Sequence, residues 1–140
     1  GRPDAEVDVV GADGVQVGSR FAASVESSAH NNFKETIVNT KEGDTQLTLK
    51  ELAPVRLIKN KFYNDLQELY ANCPTPDELK ALLGRARAKR GMFEGDLEEG
   101  ELEIGQIAGL IHEILPVEQI VQEMIADFKA AREEKATFEF

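Results

Sequence analysis

The stretch "GADGVQVGSRF", Gly11 to Phe21, decides how the rest of the chain is read. Its first four residues are turn chemistry, with two glycines bracketing an Ala-Asp pair. Val15 to Val17 then reads as a short β-branched strand that ends in Gly18-Ser19. A strand ending in Gly-Ser can aim backbone N–H groups outward. Gly18 allows an anion close to the backbone, and the Ser19 hydroxyl adds a donor. A helix starting just beyond would add partial positive charge. The residues alone leave two readings open, a phosphate loop and a Gly-Ser turn with no ligand, because short glycine loops are weak motifs.

Composition narrows the class. The chain has 140 residues, 41% of them hydrophobic, which suits one domain or one piece of a larger one. A net charge of −10 argues against a nucleic-acid or anionic-membrane binder, since phosphate backbones demand clustered Lys and Arg. No apolar run approaches the roughly 20 residues of a membrane span. The start, "GRPDAEVDVV", lacks a charged region followed by an apolar stretch, so no signal peptide is read there. Cys73 is the single cysteine and permits no internal disulfide, which points to a reducing, cytoplasmic home. Gly1 stands where a Met would begin a primary translation product, so the chain is expected to be processed, tagged or cut from something longer.

Beyond the opening stretch the pattern turns helical. "EVDVV", Glu6 to Val10, could be a strand or a poor helix, and it is the one available partner for the strand at Val15. Ser27 or Ser28 is expected to cap a helix that carries Phe33, Ile37 and Val38 and stops near Gly43. A short turn from Thr48 through Leu52 is broken by Pro54. Val55, Ile58, Phe62, Leu66, Leu69 and Tyr70 then fall at spacings that predict one apolar stripe on a helix. "TPDE" predicts a capping box, with Thr75 as cap, Pro76 at the first helical position and Glu78 reaching back. That helix buries Leu79, Leu82 and Leu83 and ends in "RARAKR" before Gly91, where positive charge suits the negative helix end. "EGDLEEGELE", Glu94 to Glu103, reads as a solvated acidic connector. "IGQIAGLI" brings small residues that permit close backbone approach. Pro116 opens an amphipathic helix whose Val117, Ile120, Val121, Met124, Ile125 and Phe128 are expected in the core.

Little of this carries chemistry. His30 and His112 stand far apart and outside any metal-ligand spacing, so solvated or packed histidines are expected. Cys73 reads as a plain loop thiol, and the acidic connector lacks Ca²⁺-loop spacing. No nucleophile–base pair and no Walker loop are present in the sequence.

"GADGVQVGSRF", "ESSAHNNFKETI", "LAPVRLIKNKF" and "GQIAGLI", in that order and spacing, resemble the C-terminal part of the nitronate monooxygenase family, formerly 2-nitropropane dioxygenases. The flavin-dependent enoyl-acyl-carrier-protein reductases are close relatives of that family. The resemblance runs from about Gly11 to about Phe128. It implies an α/β chain that is the C-terminal fragment of a (β/α)₈ TIM barrel, mostly helical, with one or two short strands. Residues 1–26 would be the last strand and its phosphate loop, 27–98 a helical added segment, and 99–140 the helices that close the barrel. By the same carry-over Gln16, Val17, Gly18 and Ser19 contact the phosphate of FMN, in keeping with the usual phosphate site after the last barrel strands. The resemblance further implies a small-molecule substrate, a nitronate or an enoyl thioester, in the full-length parent. The family's catalytic histidine lies in an upstream "GGH" stretch and its other phosphate glycines in a "GGI" loop, and neither stretch occurs in these 140 residues. An inactive fragment that self-associates, or a non-catalytic helical module, is the remaining expectation.

Overall fold

A computed structural model describes residues 14–136 of the chain. Residues 14–18 run without regular structure into a short helix α1, Ser19–Ala22. The expected strand at Val15 therefore does not form. A strand needs a ladder to satisfy its backbone groups, and its one candidate partner, "EVDVV", lies outside the described residues.

Helix α2 spans Asn31–Asn39, shorter than expected at both ends. Its cap is His30, not Ser27 or Ser28: the imidazole Nδ1 accepts from the Asn32 N–H at 3.1 Å. Ser27 instead accepts from the Ala29 N–H and stabilises the turn before the helix. Asn39 closes the helix and Thr40 is already extended, so the chain leaves it before Gly43.

The stretch from Thr45 to Ile58 corrects a second expectation. It is an antiparallel hairpin of β1, Thr45–Thr48, and β2, Val55–Ile58, in the register Thr45 with Ile58 and Thr48 with Val55. The helical spacing that joined Val55 to Tyr70 is thus divided. Pro54 pushes its predecessor toward extended backbone, and β-branched Val55 and Ile58 suit a pleat. Asn60 then caps a new helix, α3, Lys61–Tyr70, its Oδ1 accepting from the Tyr63 N–H at 3.0 Å.

Thr75, Pro76 and Glu78 open helix α4, Pro76–Leu83, with the complete capping box. This helix stops at Gly84 and does not continue through the basic run. Ala86 takes a left-handed conformation, φ 58°, and Arg87–Met92 form a separate helix, α5. Arg87 still serves the end of α4, because its guanidinium donates to the Leu82 and Leu83 carbonyls.

The acidic connector is not a solvated loop. Glu103 bridges to Leu57, the Ile58 N–H donates to the Leu102 carbonyl and the Ile104 N–H to the Arg56 carbonyl. The segment thus lies along the second edge of β2. Leu102 is fully buried and Glu101 is buried too. Burial pushes the Glu101 carboxyl up to about 7; the neighbouring Glu103 charge adds to this and Arg87 opposes it. Burial raises Glu103 as well. The segment comes so close to α5 that a Cβ at Gly91 would stand 2.8 Å from the Glu101 carbonyl oxygen.

A short 3₁₀ helix, Gln106–Leu110, and the long helix α6, Val117–Ala136, complete the chain. One core gathers Phe33 and Ile37 of α2, Ile58 of β2, and Leu102, Ile104, Ala108 and Ile111. A second packs Leu49, Leu66 and Leu79. The final helix departs from expectation: Ile120 is buried, but Val121, Ile125 and Phe128 are exposed.

Candidate functional site

The four sequence-derived phosphate residues, Gln16, Val17, Gly18 and Ser19, lie together on one wall of a cavity of about 730 Å³. The 3₁₀ helix contributes Ile107 and Leu110, and α6 contributes Ile120, Glu123, Met124 and Asp127. Apolar side chains thus line much of it, with a short polar segment at the loop. That mixture suits a small organic ligand with a polar end.

Local structure explains the polar segment. Gly18 precedes α1, and the Ala22 N–H closes the first turn on the Gly18 carbonyl at 3.0 Å. The N–H groups of Ser19, Arg20 and Phe21 then have no intrahelical acceptor. A Cβ at Gly18 would meet nothing within 4 Å, so the backbone stands open to a ligand on that side. The Ser19 Oγ accepts from the Gly105 N–H at 3.0 Å. Donors of this kind suit an anionic group.

Charge around the cavity is mixed. Arg20 lines it, yet one of its guanidinium nitrogens donates to the Glu113 carbonyl at 2.9 Å. Glu123 and Asp127, one turn apart on α6, bring two carboxylates. An anion is therefore favoured only where the loop donors reach it directly. Two further ties join the start of α6 and the residues before it to the turn after α1: the Val117 N–H donates to the Glu26 carboxylate at 2.9 Å, and the Val25 N–H to the Leu115 carbonyl at 3.0 Å.

The structure does not bring His30 or His112 to this cavity. Cys73 is exposed, in a loop at φ 51°. Sequence reading missed Arg20 as a lining residue and Gly105 as the donor to Ser19. The "GQIAGLI" stretch was the available signal for Gly105, but spacing alone did not join it to Ser19 across 86 residues. Among the described residues, no group of three or more His, Cys, Asp or Glu could hold a metal ion, and no helix is long and apolar enough to cross a membrane.

A family model described as nitronate monooxygenase matches residues 5–127. A probable nitronate monooxygenase of Bacillus subtilis is 29% identical over 116 residues, covering 82% of this chain and 33% of its own length. Its Staphylococcus aureus counterpart is 32% identical over 87 residues, 59% of this chain and 24% of that protein. The chain thus spans a third or less of these curated relatives. Among solved structures, FabK from Thermotoga maritima superposes with a TM-score of 0.84 at 38% identity, over 97% of this chain and 43% of that one. A nitroalkane oxidase from Streptomyces ansochromogenes gives 0.67 at 29% identity, over 93% and 37%. The fold is that of a part of a (β/α)₈ TIM barrel, mostly helical here.

Proposed function

Because the chain belongs to the nitronate monooxygenase family of flavin oxidoreductases, we propose that Gln16, Val17, Gly18 and Ser19 hold the phosphate of FMN in the C-terminal part of an enzyme that oxidises alkyl nitronates with O₂. The observation that carries this reading is that these four consecutive residues line a cavity closed by apolar residues of the 3₁₀ helix and α6. The open side of Gly18 supports it, since a phosphate oxygen can approach the backbone where a side chain would block it. Bound there, the flavin supplies a two-electron acceptor that O₂ can reoxidise. The chain's own residues bind and orient. The loop N–H groups and the Ser19 hydroxyl grip the phosphate, and Ile107, Leu110 and Met124 offer apolar surface.

A second reading has a specific observation in its favour. The likeness to FabK, at 38% identity, equally supports reduction of an enoyl thioester on the same flavin. The two readings share the phosphate site and differ in substrate.

Flavin-fluorescence titration tests the site. FMN is expected to bind more tightly than riboflavin, and Gly18→Val to abolish that preference; an unchanged preference in the variant removes Gly18 from the site. Turnover of a nitronate against turnover of an enoyl thioester, in a protein carrying the whole barrel, separates the two reactions. The 140-residue chain with added FMN is expected to turn over neither.

A further inference from the structure

Gly105 occupies a conformation, φ −70° and ψ 161°, that any L-residue adopts without strain. Backbone freedom therefore does not explain a glycine there. Space does: a Cβ at this position would stand 2.6 Å from the Ser19 Oγ and 3.7 Å from the Ile107 Cγ2. The bare amide comes close enough to donate to that same Oγ at 3.0 Å.

We propose, resting on the phosphate reading above, that Gly105 is a positioning residue for the anion site: its N–H fixes the Ser19 hydroxyl so that the hydroxyl's proton is left for a phosphate oxygen. A serine hydroxyl has one proton and two lone pairs. The Gly105 amide occupies one lone pair. The proton finds no acceptor among the described residues, so it remains available where Ser19 lines the cavity.

The device is rigid on the Gly105 side. The preceding residue, Ile104, is buried and donates its N–H to the Arg56 carbonyl at 3.1 Å. The Gly105 carbonyl accepts from the N–H of fully buried Ala108, also at 3.1 Å. Core packing thus sets where the amide points, and the amide sets the hydroxyl. Preorganisation of this kind matters most for a charged acceptor, because charge-assisted hydrogen bonds are the stronger and more directional ones.

The test compares FMN with riboflavin, which lacks the phosphate, by flavin-fluorescence titration of the protein and of Gly105→Ala, Ser19→Ala and the double variant. Gly105→Ala is expected to lower the FMN-over-riboflavin preference about tenfold, the worth of one charged hydrogen bond, with riboflavin affinity unchanged. In the Ser19→Ala background, where the obstructing oxygen is gone, Gly105→Ala is expected to cost nothing more. Ser19→Ala removes the same bond without adding an atom, so it carries the test if Gly105→Ala unfolds the chain. Hydrogen–deuterium exchange gives a readout independent of flavin: the Gly105 amide is expected to exchange faster in Ser19→Ala. A preference for FMN that survives in folded Gly105→Ala, or an equal loss for both flavins, overturns the positioning role, as does a Gly105 amide that exchanges no faster in Ser19→Ala. A parent protein that does not prefer FMN at all overturns the phosphate reading itself, and the amide exchange then reports on the hydrogen bond alone.

Discussion

Arg87 lies over the ring of Phe62, with its guanidinium carbon 4.4 Å from the ring centroid. The same guanidinium donates to the carbonyls of Leu82, Leu83 and Glu99 at 2.7–2.9 Å. One planar fork thus joins the end of α4, the ring of α3 and the segment that edges β2. Arg87→Ala is expected to cost about 3 kcal/mol, combining buried carbonyl acceptors left without donors and a lost cation–π contact. Arg87→Lys should recover less than half of it, because an ammonium cannot reach three carbonyls in one plane. Urea unfolding of the two variants checks both numbers.

The buried Glu101 makes stability depend on pH. Its carboxyl titrates at about 7 in the folded chain against an ordinary 4.5. The folded state therefore prefers the protonated form. The associated stability is fully present below pH 4.5 and is lost as pH rises through 7. Glu51, Glu78 and Asp96 are shifted downward, so their contributions change only at lower pH. The melting temperature is expected to fall between about pH 5 and pH 8, and Glu101→Gln to flatten that fall. An unchanged slope in the variant would assign the pH dependence to other groups.

Thr75 and Glu78 satisfy each other's backbone N–H groups, with Glu78 Oε2 2.8 Å from the Thr75 nitrogen. Thr75→Ala is expected to cost about 1 kcal/mol. The loss should appear as a lower denaturation midpoint with an unchanged slope.

Two isoleucines on α6 should respond very differently. Ile120 is 1% exposed and Ile125 is 49% exposed. Ile120→Ala is expected to cost about 2–5 kcal/mol. Ile125→Ala should stay within about 0.5 kcal/mol. Equal losses would mean that Ile125 is covered in solution.

What the sequence made legible follows from range. The capping box at Thr75 was readable because a cap is a local device, settled within four residues. The hairpin was not, because Val55 and Ile58 obey helical spacing as well as they obey a pleat, and short apolar runs are ambiguous. Only the pairing with Thr45 and Thr48 decides it. The acidic connector was misread for a similar reason. Its charges suggested water, yet Leu102 and the backbone around it complete the edge of β2. The amphipathic stripe on α6 was read as core because periodicity gives a face but not what covers it. Of the proposed phosphate residues, Gly18 and Ser19 were suggested by local chemistry and Gln16 and Val17 by resemblance; the structure adds that all four line one cavity. Gly105 was suggested by neither, since its partner lies 86 residues away.

That separation bears on the order in which the molecule assembles. The bonds from Gly105 to Ser19, from Val117 to Glu26 and from Arg20 to Glu113 join residues 86 to 93 positions apart. The hairpin and α3 to α5, by contrast, are tied by pairs nearer in sequence, from Thr45 with Ile58 out to Arg56 with Ile104. Contacts between distant positions form slowly, so the middle of the chain is expected to fold first and the cavity to close last. On unfolding the order reverses. In native-state hydrogen exchange, the amides of Gly105 and Val117 should open together at a lower free energy than those of β2. The cavity would then come apart while the middle of the chain stays folded.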